Sequence, residues 1–110
     1  MARPLIPRTT CSHFTIHGLW PENLDASWPQ YCSKEPFSAA AVADLLPQLR
    51  TEWPSVFSKG SHFWQHEWRR HGTCATETFP TEHAFFGTVL QLHKRFDLAV
   101  RTLHPCFIAA

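Results

Sequence analysis

What this sequence has little of narrows it quickly. No apolar run approaches the roughly 18 to 20 residues of a membrane-spanning helix, so no membrane partner is expected, and residues 1–10 lack the apolar stretch of a signal peptide. Charge of one sign is missing as well. Ten Lys and Arg face nine Asp and Glu, a net charge of +1, which excludes a surface that holds nucleic acid by bulk electrostatics, so any polyanion contact must be local. Charged residues make up 17% against 44% hydrophobic, with nine Phe and five Trp, and that balance excludes a disordered or collagen-like chain. There is no internal repeat, no low-complexity tract and no linker composition, and 110 residues leave room for one core, hence a single domain over 1–110. None of the four cysteines, Cys11, Cys32, Cys74 and Cys106, sits in a C-x-x-C pair, which removes support for zinc-ribbon and thioredoxin-like sites. Four cysteines allow three pairings and point to an oxidising compartment. That conflicts with the lack of a signal peptide and implies further sequence upstream in an intact secreted form.

Strand material is scarce too. Residues 12–20, SHFTIHGLW, alternate β-branched and aromatic residues and predict one strand ended by Pro21. Residues 21–36 interleave three prolines with Asn, Asp and Ser and predict a long irregular loop, and its Trp28 and Tyr31 mark it as functional. From a Ser38 cap, the spacing of Val42, Leu45, Leu46, Leu49 and Trp53 predicts a helix that Pro47 bends or splits. A short aromatic helix is predicted over 62–71, stopped by Gly72, and an amphipathic one over about 80–96. Asp97 can cap a further short helix ending near His104. One strand cannot make a stable sheet.

The chemistry is concentrated in 63–74, FWQHEWRRHGTC. On a helix, Glu67 and His71 are i,i+4, Arg70 is i+3 from Glu67, and His66 lies beside Arg70, so a carboxylate, a cation and an imidazole converge. A zinc protease needs H-E-x-x-H. The spacing here is H-E-x-x-x-H, which turns the imidazoles of His66 and His71 about 140° apart and argues against that site. Taken singly, His17 reads as a packed or surface histidine, the His-Glu-Arg cluster as a salt-bridged face and the five Trp as core. Together, two imidazoles, a carboxylate and an arginine are the parts of metal-free phosphoryl transfer by an acid and a base.

The stretches 14–21, FTIHGLWP, and 63–74 resemble the two active-site signatures of the ribonuclease T2 family, the secreted or vacuolar and lysosomal acid endoribonucleases that include the plant S-ribonucleases. The resemblance runs over about 12–103, and family members are about twice this length. It implies an α+β fold with a central antiparallel sheet flanked by helices, here incomplete. The implied activity is cleavage of single-stranded RNA through a 2′,3′-cyclic phosphate, with no cofactor and no metal, by a monomer. By resemblance His71 is the general base, His17 the general acid, Glu67 and Arg70 stabilise the phosphorane and His66 holds the phosphate. Arg70 stands where the family usually has Lys: it keeps the charge and gains bidentate geometry, but it is bulkier and cannot share a proton. Trp20 and Trp28 match aromatic positions that sandwich a base, Glu22 matches an acidic residue at the base edge, and Cys32 pairs with Cys74. Cys11 and Cys106 lack clear counterparts. Two readings compete: a truncated, inactive isoform that binds RNA or does not fold stably, and a zinc-binding module built on His62, His66 and His71.

Overall fold

The computed structural model describes residues 15–55 and 61–96. Their elements follow from local chemistry. Ser38 accepts the amide of Ala41 on its hydroxyl at 3.4 Å and opens a 3-10 segment, Ala39–Leu45, that is broken at Val42, where the backbone leaves helical values. Helix α1, Leu46–Glu52, starts afresh with Pro47 in its first turn, where proline has no hydrogen bond to lose and its fixed φ favours the helix. The predicted helix is thus split in two, and proline begins the second half.

Helix α2, His62–Arg70, ends with His71, whose amide still reaches the Glu67 carbonyl. The chain then tightens into a 3-10 turn, Gly72–Cys74. Gly72 does not stop the helix through a left-handed backbone. A Cβ there would collide with Trp68 and lie 3.2 Å from the Phe85 ring, so the glycine serves close packing. Helix α3, Glu82–Arg95, is capped by the Thr81 hydroxyl, which accepts the amide of Ala84 at 3.0 Å. Glu82 reaches back from α3, and one of its carboxylate oxygens accepts the Ser38 amide at 2.7 Å.

These helices share one apolar core. Val42, Leu49 and Trp53 contribute from the first half, Trp64 and Trp68 from α2, and Phe85, Phe86, Val89 and Leu90 from α3. The Trp53 ring lies 5.1 Å from Phe86 and 6.4 Å from Phe85, and Phe85 meets Trp68 edge-on at 5.8 Å. Each such side chain removed from water is worth about 1.5–3 kcal/mol, so the aromatic centre dominates this packing.

The strand predicted over 12–20 is not formed in its described part, residues 15–20. Among the described residues there is no β-strand, and residues 15–20 carry no regular element. They are held instead by the core: the Ile16 amide donates to the Glu52 carbonyl at 2.7 Å, and the Trp53 indole donates to the His17 carbonyl at 2.9 Å. The physical reason is that a strand exists only through its neighbours, and the described residues supply none. Among the described residues, therefore, the helices of the expected α+β arrangement are present and no strand of its central antiparallel sheet is. Residues 12–14, the helix expected after Asp97, Cys11 and Cys106 lie outside the described residues.

Candidate active site

Glu67 is the centre of the site. It sits on the inner face of α2 between Trp64 and Trp68, 1% exposed, because the helical period that buries those two indoles carries position 67 inward with them. One carboxylate oxygen lies 3.7 Å from His17 Nε2. The other lies 4.0 Å from His71 Nε2 and accepts the indole N–H of Trp20 at 3.1 Å. The i,i+4 relation of Glu67 and His71 is the one the sequence predicts.

The 15–20 segment delivers the other half. Trp20 stacks on His71, ring centres 5.1 Å apart and planes 25° apart, while His17 meets Trp20 edge-on at 5.2 Å and leans on Phe63 at 5.6 Å. Gly18 lets the segment approach: a Cβ there would strike the Glu67 carboxylate and come within 2.7 Å of Trp20 Nε1.

Burial sets the protonation of this cluster. Desolvation pushes the Glu67 carboxyl up to about 7, opposed by the Trp20 hydrogen bond and the Arg70 charge. Desolvation also pulls His71 down to about 4, helped by the positive potential of Arg70, His66 and His17. His17 is lowered as well, by burial and then by His66. Because water cannot stabilise either charge here, the cluster favours a protonated carboxyl beside a neutral His71 imidazole.

The remaining predicted residues divide. His66 is exposed on the outer face of α2, yet close enough to act electrostatically on His17 and His71. Arg70 donates Nε–H to the Gln30 side-chain carbonyl at 2.8 Å, which leaves its terminal N–H groups for a ligand. Trp28 and Glu22 lie exposed on the 21–36 loop. Trp20 is 46% exposed, with one ring face committed to His71. That loop is tied to the end of α2 by the Cys32–Cys74 disulfide, by the Tyr31 amide donating to the Arg70 carbonyl at 2.9 Å, and by the Cys32 amide donating to the Thr73 hydroxyl at 3.2 Å. The zinc reading fails on geometry: α2 exposes His62 and His66 and buries His71, and among the described residues no three His, Cys, Asp or Glu side chains gather as a metal site. The sequence reading missed Gly18, Phe63 and Gln30, whose contributions depend on contacts 40 or more residues away or on ring packing across elements.

The Ribonuclease T2 family model matches residues 2–104, and the chain belongs to this family. Ribonuclease DdI of Dictyostelium discoideum is 44% identical over 86 residues, covering 77% of this chain and 39% of its own length. Extracellular ribonuclease LE of Solanum lycopersicum is 39% identical over 89 residues, again covering 77% of this chain and 39% of its own. Among solved structures, a mutant of ribonuclease MC1, a protein of bitter gourd seeds, in complex with 5′-GMP superposes with a TM-score of 0.71 at 38% identity, over 76% of this chain and 44% of that one. The chain thus spans about two-fifths of the length of the curated relatives it matches.

Proposed function

We propose that this chain carries the acid–base centre of an endoribonuclease that cleaves single-stranded RNA by transphosphorylation, without a metal. The observation that carries the reading is the convergence of His17, Glu67 and His71 within about one side chain's reach, in a chain whose relatives are named ribonucleases. The bound 5′-GMP of the ribonuclease MC1 structure supports a nucleotide ligand.

His71, held neutral down to about pH 4, takes the proton of the ribose 2′-OH. The alkoxide attacks the adjacent phosphorus and forms a pentavalent phosphorane. His17, protonated, gives its proton to the departing 5′-oxygen, so that a 2′,3′-cyclic phosphate and a 5′-hydroxyl result. Glu67 is protonated below about pH 7 and donates its O–H to a phosphoryl oxygen, where an ionised carboxylate would repel the growing negative charge. Arg70 and His66 supply N–H donors to the same phosphoryl group. Trp28, Glu22 and the open face of Trp20 receive a base, whose stacking is worth roughly 1–3 kcal/mol and tolerates sequence.

The rate requires neutral His71 and protonated His17. His71 protonates near pH 4, and His17 loses its proton below its ordinary value of about 6.5. The pH profile is therefore a bell with its optimum between those limits. Dinucleoside monophosphate cleavage measured from pH 3 to 8, with His17→Ala and His71→Ala beside the parent and with EDTA present throughout, tests this. Each substitution is expected to cost 10²- to 10⁴-fold. A near-parental rate in either variant, or loss of activity on chelation, overturns the assignment.

A further inference from the structure

The outer face of α2 carries a feature that the acid–base cluster does not use. His62, Gln65, His66 and Arg69 follow one another at helical spacing, and with Tyr31 from the loop they line an open cleft of about 240 Å³. No carboxylate contributes to its lining. Arg69 is a permanent cation, the two imidazoles and the Gln65 carboxamide add N–H donors, and Tyr31 adds an exposed ring. The side chains of His62 and Arg69 make no hydrogen bond or ion pair among the described residues, so their donors face solvent without a partner. Tyr31 is fixed at the edge of the cleft by its left-handed backbone, φ 52°, by its amide bond to the Arg70 carbonyl and by the neighbouring disulfide.

The cleft is larger than a lone phosphate needs and is of the scale of one nucleotide. A fixed cation with two imidazole donors suits the phosphate, and an exposed ring suits the base. His66, which is proposed above to hold the scissile phosphate, also belongs to its wall, so a strand bound at the reaction site passes beside the cleft. We propose that this cleft is a second subsite, which takes the neighbouring phosphodiester and nucleotide of the strand whose scissile phosphate lies at His17, Glu67 and His71. Arg69 and His62 hold the phosphate and Tyr31 packs on the base. The proposal rests on the ribonuclease reading and adds to it: the preferred substrate is an RNA longer than a dinucleotide.

The test is a length series. kcat/KM is measured for a dinucleotide and for trinucleotides extended on the 5′ or the 3′ side, with the parent, Arg69→Gln and His62→Gln. The parent is expected to prefer one of the trinucleotides by about tenfold. Arg69→Gln should lose about that tenfold advantage and His62→Gln about threefold, while dinucleotide cleavage stays at the parental rate. The same length preference in the parent and both variants overturns the subsite, as does an equal loss on dinucleotide and trinucleotide. If the parent cleaves nothing, the catalytic reading has failed, and the subsite is read separately from fluorescence-anisotropy binding of 2′-O-methyl di- and trinucleotides. A trinucleotide advantage that disappears in Arg69→Gln supports it, and its absence in the parent overturns it.

Discussion

The two walls of the proposed active site are built by opposite means. The floor, made of 16–20 and the inner face of α2, is packed: Glu67, Trp64 and Trp68 are buried, and Trp53 and Trp20 spend their indole N–H groups on His17 and Glu67. The roof, the loop over 21–36, is exposed, with Leu24, Trp28 and Tyr31 all turned to solvent. A local turn shapes its tip, where the Asn23 amide donates to the Ser27 carbonyl at 2.7 Å. Among the described residues, the ties that hold it to the rest run to the far end of α2 and the turn after it: Trp68, Arg70, Thr73 and Cys74. The floor therefore fixes chemistry through packing, and the roof holds its shape through a few cross-links at one end. Changes to the floor should appear in kcat, and changes to the roof in KM.

The strongest way to break the contrast is to remove the main cross-link. The Cys32–Cys74 bridge spans a sequence separation of 42 residues, for which loop-closure entropy credits roughly 4 kcal/mol. Replacing both cysteines by serine should lower unfolding free energy by about 2–4 kcal/mol in urea melts. In the protein that remains folded, KM should rise more than kcat falls. An unchanged melt would mean that hydrogen bonds alone hold the roof.

On the floor, Gly18→Ala forces the new methyl against the Glu67 carboxylate. Displacing a positioned catalytic group by about an ångström is expected to cost about 10²-fold in kcat with KM little changed. A rise in KM alone would show that Gly18 serves the substrate and not the carboxyl. Trp28→Ala is the matching test on the roof. Losing one exposed stacking platform should raise KM about tenfold and leave kcat largely intact, whereas a pure kcat loss would move Trp28 to the chemistry.

The smallest expected effect is a gain. Glu67 is raised from its ordinary range to about 7, so the stability it contributes is fully present below its unfolded pKa and is lost as pH rises through about 7. Glu67→Gln removes the carboxylate that burial penalises, while its side-chain carbonyl can still accept from Trp20. Urea melts at pH 8 should show the variant about 1–2 kcal/mol more stable than the parent, with a smaller difference at pH 5, while RNA cleavage falls. Equal stability at both pH values would mean that Glu67 ionises as freely as a surface carboxylate.

Much of the floor was legible in the sequence. Helical spacing alone places Glu67 and His71 together and sets the imidazoles of His66 and His71 about 140° apart, since the period of 3.6 residues is a local property. The helices over 62–70 and 82–95 were legible for the same reason. The strand was not, because a ladder is a relation between segments, and 15–20 is held by Glu52 and Trp53 instead. The division of the five tryptophans was legible only through the family resemblance, which set Trp20 and Trp28 apart as base-stacking positions. Trp53, Trp64 and Trp68 are core, whereas Trp20 is 46% and Trp28 66% exposed, and hydrophobicity cannot separate them. The Trp20–Glu67 bond joins residues 47 positions apart, and only the folded chain reveals it.

Trp53 is the point at which interior and surface cannot be altered independently. It takes the Trp64 N–H on its own carbonyl at 2.7 Å and passes its indole N–H to the carbonyl of His17. A phenylalanine at either position would be smaller and would remove the N–H that one of these carbonyls accepts, in one case on the backbone that carries the proposed general acid. For a protein engineer these two tryptophans are poor candidates for aromatic exchange, because they contribute direction to the site as well as volume to the core.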